Sequence, residues 1–494
     1  MSYISIQNLT FSYSGAQDNI FENVSLQIDG SWKLGLIGRN GRGKTTLLNL
    51  ILGKYEYSGK ISSDMEFAYF PYIVKDKDRM TLDVMSEICP QAEDWEFIKE
   101  LSLLDMDAEC LYRDFSTLSN GEQTKALLAA LFSGENRFLL IDEPTNHVDE
   151  AGRAIICEYL KRKKGFILVS HDAALLDSCI DHVISINRTT IDIQQGNFSS
   201  WWENFKRNEQ NEITENEKLK KDVRRLSEAA RQSAGWSDKV EKRKKGSTNS
   251  GSRLDKGFVG HKSAKMMQRS KNFENRMQKA AEKKSQLLKD VDRVEPLKME
   301  TEVYFKTTLI SAKDLAVYYD EGAFLFENLS FEICQGDRAA VIGKNGSGKS
   351  TLLKLLMGEN IRYQGKVTVG NGLNISYVPQ DTSFLKGVAS DYAADRGIDL
   401  TRFLTILRKL GFEREQFSIP MESMSEGQKK KILIAGSLCE KAHIYLWDEP
   451  LNYIDVITRM QIRDVLLEYG PTMLFVEHDT AFRETIATKE IVLL

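Results

Sequence analysis

The 494-residue chain contains no apolar run approaching the ~20 residues needed to cross a bilayer. A pore or permease is therefore not written into it. Its first residues, Met1-Ser2-Tyr3-Ile4-Ser5, have neither the basic start nor the apolar core of a secretory leader, so a cytoplasmic protein is expected. Six cysteines, at 89, 110, 157, 179, 334 and 439, are scattered without CxxC or Cys/His ligand spacing. That pattern excludes a zinc or iron–sulfur site and reads as reduced structural thiols. What is present is an ordinary soluble composition, 41% hydrophobic and 28% charged, at a length that calls for two or three domains. The net charge of −4 conceals an asymmetry. Residues 201–300 hold 26 Lys/Arg against 16 Asp/Glu, and the remainder holds 41 against 55. A basic middle between acidic ends points to a nucleic-acid contact in the middle.

The chain is organised around Gly38-Arg39-Asn40-Gly41-Arg42-Gly43-Lys44-Thr45-Thr46. This fits GxxxxGK[ST], between a short apolar run (Leu34 to Ile37) and a Leu-rich helical run. Glycines let the backbone wrap a phosphate with its N–H groups turned inward, and the helix N-terminus adds partial positive charge. The lysine reaches the β/γ-phosphates, and the hydroxyl of Thr45 ligates Mg²⁺. A second copy, Gly343-Lys344-Asn345-Gly346-Ser347-Gly348-Lys349-Ser350-Thr351, stands in the same context after Ala339 to Ile342, with Ser350 in the Mg²⁺ role. Two matches make ATP or GTP binding the expectation.

Further landmarks follow each loop. Ser119-Asn120-Gly121-Glu122 is a turn opening into a helix over Thr124 to Phe132, a potential anion site and equally a plain helix cap. Arg137 to Ile141 is a buried strand ending in Asp142-Glu143. An acid there can hold Mg²⁺ through water, and the next can orient or deprotonate the attacking water. Another buried strand, Phe166 to Ser170, ends in His171, placed to sense a γ-phosphate. The second half repeats this order. Tyr13 aligns with Tyr319, Lys44 with Lys349, Gly121 with Gly427, Glu143 with Glu449 and His171 with His478, at offsets of 305 to 307. Nearly constant offsets mean two copies of one nucleotide-binding domain.

These motifs resemble the ATP-binding cassette (ABC) superfamily: the two loops, the signature-like Leu118-Ser119-Asn120-Gly121-Glu122 and Met424-Ser425-Glu426-Gly427-Gln428, the Asp142-Glu143 and Asp448-Glu449 pairs, and the two histidines. Two cassettes on one chain with a charged linker and no membrane domain resemble the ABC-F family of translation-acting ATPases. The first loop, Gln195-Gly196-Asn197-Phe198, and Trp447 to Asp455 look like its Lsa-type antibiotic-resistance branch. The resemblance implies an α/β fold of two tandem ABC ATPase domains closing head to tail over two ATPs, in one monomer. The loop of Lys44 would face Ser425-Glu426-Gly427, and the loop of Lys349 would face Ser119-Asn120-Gly121. Tyr13 and Tyr319 would stack on adenine, and Gln380 with Asp142 and Asp448 would serve the Mg²⁺ ions. Glu143, Glu449, His171 and His478 would carry catalysis. The branch implies a bacterial 70S ribosome as partner, with its 23S rRNA and a tRNA.

Several positions depart from the family pattern. Tyr72 stands where glutamine is usual, Glu426 replaces a glycine and so brings a carboxylate near the first ATP, and Tyr453 aligns with His147. Unequal sites are expected. Residues 205–298, between domains at 1–204 and 299–494, resist a globular reading. Apolar residues at 219, 223, 226 and 230, and again at Phe273, Met277, Ala280, Leu287, Val291 and Val294, keep heptad spacing, and Gly246 to Ser252 breaks helix between them. An antiparallel helical hairpin is the simplest structure. Its tip, near 246–260, is crowded with cations including Lys244, Lys245, Lys262 and Lys265, which suit phosphate backbone. Phe258 and Val259 are its apolar point, and in the resistance branch the corresponding hairpin resembles a probe near the peptidyl-transferase centre. A housekeeping translation factor, a transporter motor subunit and a DNA-structure ATPase are the competing readings.

Overall fold

The computed structural model describes residues 2–13, 19–134, 136–145, 148–187, 190–208, 221, 224, 296–318, 324–344 and 346–493. The chain falls into two compact units, Met1–Trp201 with Val294–Leu494, and Trp202–Arg293. In the second unit the described turn of helix stacks Trp202 on Phe205 at 5.6 Å, with the Lys206 ammonium 5.2 Å from the Trp202 ring centre. The expected hairpin and its tip, with Lys244, Lys245, Phe258, Val259, Lys262 and Lys265, lie outside the described residues.

The larger unit holds two copies of one α/β plan. In the first, β1 (Tyr3–Phe11), β2 (Phe21–Asp29) and β4 (Ser58–Ser63) form an antiparallel sheet in the order β2-β1-β4. β1 is continuous, with its register shifting beyond Ile6 and Asn8 at φ +50°. Behind it lie β3 (Lys33–Ile37), β5 (Glu66–Phe70), β6 (Arg137–Asp142), β7 (Phe166–Val169), β8 (His182–Ile186) and β9 (Ile191–Gln195). Their order is β5-β6-β7-β3-β8-β9, parallel except for the β8–β9 pair. The central strands are continuous apolar runs because both their faces are covered. Phe138, Leu139, Leu140 and Ile141 of β6 are each at most 2% exposed, and burial of each such side chain contributes about 1.5–3 kcal/mol.

The second copy repeats the plan. An antiparallel sheet β11-β10-β13 comprises β10 (Thr308–Tyr318), β11 (Phe324–Cys334) and β13 (Tyr363–Val369). A parallel sheet β14-β15-β16-β12-β17 comprises β12 (Arg338–Ile342), β14 (Ile375–Val378), β15 (Ile444–Asp448), β16 (Met473–Val476) and β17 (Lys489–Val492). In each copy the phosphate-loop strand and the strand ending in two acids are separated by one strand. Their C-terminal ends therefore open on one crevice, where open α/β sheets bind ligands. No helix among the described residues is long and apolar enough to cross a membrane, and all six cysteines are free.

Candidate nucleotide sites

After β3 the chain turns through residues 38–43 into the helix Lys44–Ile51. Gly43 caps that helix in a left-handed conformation, φ +90°. A Cβ there would also lie 2.7 Å from Ile20 Cγ2, so geometry and space both require glycine. Lys44 Nζ donates to Gly38 O at 2.7 Å and to Arg39 O at 3.4 Å. Gly348 repeats the φ of +90°, and Lys349 Nζ donates to Gly343 O at 2.9 Å and Lys344 O at 3.0 Å. Each ammonium thus folds over its own loop, next to where a phosphate would sit. Burial depresses the pKa of both lysines, opposed at Lys44 by Asp455 and Glu143 and at Lys349 by Glu449 and Asp448.

Hydroxyl and carboxylate oxygens converge beside each loop. Thr45 Oγ1 donates to Asp142 Oδ2 at 3.2 Å, and Tyr69 OH reaches the same oxygen at 3.3 Å. Ser350 bonds Asp448, whose Oδ1 is buried without a partner. Burial raises the pKa of both aspartates. A hard cation suits this donor set, and the orphaned oxygen of Asp448 is a vacant acceptor for one. Among the described residues no group of three or more His, Cys, Asp or Glu could hold a metal alone. Any Mg²⁺ would need nucleotide oxygens to complete its shell. Near the same loop, Tyr13 OH shares a 2.9 Å hydrogen bond with Thr46 Oγ1, and its half-exposed ring meets Phe11 and Tyr55 edge-on. Tyr319 and Asn345 lie outside the described residues.

Glu143 and Glu449 both sit in the left-handed region, φ +52° and +46°, held by N–H bonds to Val169 O and Val476 O. Such strain in a non-glycine residue costs about 1–3 kcal/mol and concentrates where function demands it. Their surroundings differ. His171 Nε2 lies 3.2 Å from Glu143 Oε1, and the His171 N–H donates to Oε2 at 3.4 Å. Burial, helped by Asp142, pushes the Glu143 carboxyl up to about 7. Burial, with the Lys44 and Arg459 charges, pushes His171 down to about 3, so its imidazole is neutral. Glu449 is only partly buried, and although that burial raises its pKa, His478, Gln380 and Asn452 hydrogen-bond it and hold it below the ordinary glutamate value. The distances are 3.2 Å to His478 Nε2, 2.7 Å to Gln380 Nε2 and 2.6 Å to Asn452 Nδ2.

The first loop packs against the second domain. Asn40 Nδ2 donates to Tyr453 O at 2.8 Å, and a Cβ on Gly427 would lie 2.4 Å from that oxygen and 3.0 Å from Asn40 Nδ2. The structure thus brings the loop of Lys44 against Gly427. Arg42 Nη1 pairs with Glu413 Oε1 at 3.0 Å, and Arg39 Nη1 donates to Lys409 O at 3.1 Å. Beneath them Lys431 Nζ and Asp455 Oδ2 form a 2.6 Å pair, 5% and 0% exposed. Lys431, Arg39 and Lys44 hold the Asp455 carboxyl far below the usual range despite its burial. The aligned positions in the second loop are Lys344 and Ser347, and no described hydrogen bond or ion pair joins that loop to Ser119, Asn120 or Gly121. Arg153 Nη1 to His478 O, 3.4 Å, links the halves on that side.

Two expectations change. The first signature helix begins at Asn120 rather than Thr124, because Ser119 forms a capping box with Glu122; the second, from Glu426, is capped in the same way by Ser425 with Gln428. Glu426 does not present its carboxylate to the first loop; it accepts from Thr382 Oγ1 and from Lys429 Nζ, both in its own domain. Tyr72 turns to Glu87 Oε1 at 3.1 Å, and Tyr69 instead reaches Asp142. The contacts that sequence reasoning missed are Arg42–Glu413, Arg39–Lys409, Lys431–Asp455 and Asn452–Glu449. The only signal was two arginines in a loop whose repeat carries lysine and serine.

Two phosphate loops, each with a strand-end acid pair and a histidine, define a tandem ATPase on one chain. The family model described as "ABC transporter" matches residues 21–146 and 326–452, and the chain belongs to that family, in its tandem ABC-F-type form. It is 30% identical over 497 residues to "Ribosome protection protein VmlR" of Bacillus subtilis (strain 168), covering 98% of this chain and 85% of that protein. It is 27% identical to "Erythromycin resistance ATP-binding protein MsrA" of Staphylococcus epidermidis, covering 98% of each. An archaeal ribosome recycling factor, solved in complex with a ribosomal stalk protein, shares the fold, with a TM-score of 0.58 at 19% identity over 98% of this chain and 87% of that one.

Proposed function

We propose that the protein binds the bacterial 70S ribosome in its ATP-bound form, brings its interdomain segment near the peptidyl-transferase centre and displaces bound antibiotics. The similarity to a ribosome protection protein over 98% of the chain carries this reading. The drugs would be of lincosamide, streptogramin A and pleuromutilin type, as in the Lsa-type branch. Domains at 1–204 and 299–494 bind two ATPs, and residues 205–298 carry the working tip around Phe258 and Val259, with Lys244, Lys245, Lys262 and Lys265 on phosphate. The protein works as a cytoplasmic monomer.

Each side chain has a task. Lys44 and Lys349 leave their loop carbonyls for the β/γ-phosphates. Ser425 and Gly427 complete the first site, and Ser119 and Gly121 the second. Thr45 with Asp142, and Ser350 with Asp448 and Gln380, would hold Mg²⁺, which would supply positive charge against the phosphates. Glu143 and Glu449 orient and deprotonate water, and the neutral imidazole of His171 holds the first of them. Closure needs both γ-phosphates, so ATP binding fastens the halves and hydrolysis releases them.

A drug-inhibited bacterial translation extract tests this. Adding the protein with ATP is expected to restore synthesis, and a variant lacking residues 247–259 is expected to hydrolyse ATP without restoring it. Restoration by the deletion variant would contradict the role given to the tip.

A further inference from the structure

The internal repeat supplies a comparison within one chain. At the base of the second domain, away from its nucleotide site, an extended segment from Pro296 to Glu302 is packed into place. Leu297 and Met299 are each 2% exposed, in a cluster with Leu438, Ala442 and Tyr445. Tyr445 OH donates to Glu300 O at 2.9 Å, and the Glu302 N–H donates to Ala442 O at 3.0 Å. Thr301 and Ala442 form a parallel bridge. The acids of the segment meet cations and donors: Glu300 pairs with Arg402 at 2.8 Å, and Glu302 lies 3.6 Å from His443 and accepts from Asn374 at 2.8 Å.

The same place in the first domain, 306 positions earlier, is a cavity of about 520 Å³. Leu438, Ala442, His443, Tyr445, Tyr469 and Gly470 become Phe132, Asn136, Arg137, Leu139, Lys163 and Lys164, and all six line it. Arg137 is held by long contacts only, Nη2 to Ile88 O at 3.4 Å and Nε to Glu66 Oε2 at 3.6 Å, and its buried Nη1 has no partner. A buried guanidinium N–H without an acceptor is costly. An acidic side chain arriving there, as Glu302 arrives at His443, would satisfy it. Lys163 is engaged with Glu100, but Lys164 adds an exposed cation at the wall.

We propose that this cavity docks an extended segment of a partner protein, with two apolar side chains at alternate positions followed by an acid that reaches Arg137. The volume suits a few side chains, and the second domain shows the mode. The probe is a fluorescent peptide with the sequence of residues 296–304, titrated onto the full chain and followed by anisotropy. Saturable one-to-one binding is expected, weakened at least tenfold by Arg137→Gln and, separately, by a peptide with glutamine in place of both glutamates. No saturable binding up to millimolar peptide overturns the proposal. Binding indifferent to both changes overturns it too, because the peptide would then occupy another place, such as the groove of the second domain.

Discussion

The ion pair between Arg42 and Glu413 should make the first nucleotide site close more readily than the second. Arg42 is 19% exposed and Glu413 42% exposed at a separation of 3.0 Å. Exposed pairs contribute roughly 0.2–1 kcal/mol, and the burial of one partner here puts the contribution at about 1 kcal/mol, a factor of about five in closure. The second loop carries Ser347 at the aligned position, although Asp107 aligns with Glu413. Arg42→Ser therefore gives the first loop the side chain of the second. In a Glu449→Gln background, where the first site is the one left to turn over, Arg42→Ser is expected to raise the ATP concentration for half-maximal hydrolysis about fivefold. In a Glu143→Gln background the same change should have little effect. The charge swap Arg42→Glu with Glu413→Arg should recover most of the loss. Equal shifts in both backgrounds, or no shift in either, would refute the reasoning.

Other outcomes follow from the same geometry. Asp455→Asn leaves Lys431 buried without its counter-charge and should destabilise the protein by about 3–5 kcal/mol in urea denaturation. Because the folded-state pKa of Asp455 is depressed, its contribution is present above the ordinary carboxylate range and is lost only as the pH falls well below about 4, which acid unfolding followed by fluorescence would reveal. Glu143→Gln and Glu449→Gln should lower steady-state hydrolysis by different factors, since one carboxylate faces a neutral histidine and the other accepts three hydrogen bonds; equal losses would mean equivalent sites. Gly427→Ala forces a methyl to 2.4 Å from Tyr453 O, whereas a methyl on Gly121 meets no described atom within 4 Å. Nucleotide affinity should therefore fall more for Gly427→Ala than for Gly121→Ala.

Much of the fold and of each site was legible in the sequence because the signals are local. A phosphate loop is nine adjacent residues whose glycines answer to φ, and the acid pairs close buried apolar strands. The constant offset of the repeat made one half a check on the other. What was not legible depends on where distant side chains meet. Arg42 and Glu413 are 371 positions apart. The direction of the Glu426 carboxylate was set by Thr382 and Lys429, which compete for it with the opposing loop. Tyr69 rather than Tyr72 reaches Asp142, because alternation along β5 and the turn after it point them to different partners. The base cavity could not be read at all, since Arg137 looks like an ordinary strand-start cation until the filled groove of the second domain is set beside it.

The most direct test of the account is sedimentation of the Glu143→Gln, Glu449→Gln double variant with bacterial ribosomes on a sucrose gradient. Loss of both water-activating carboxylates should trap the closed form. The account predicts co-migration with 70S particles in ATP and release in ADP. Protein remaining at the top of the gradient in both nucleotides would contradict it.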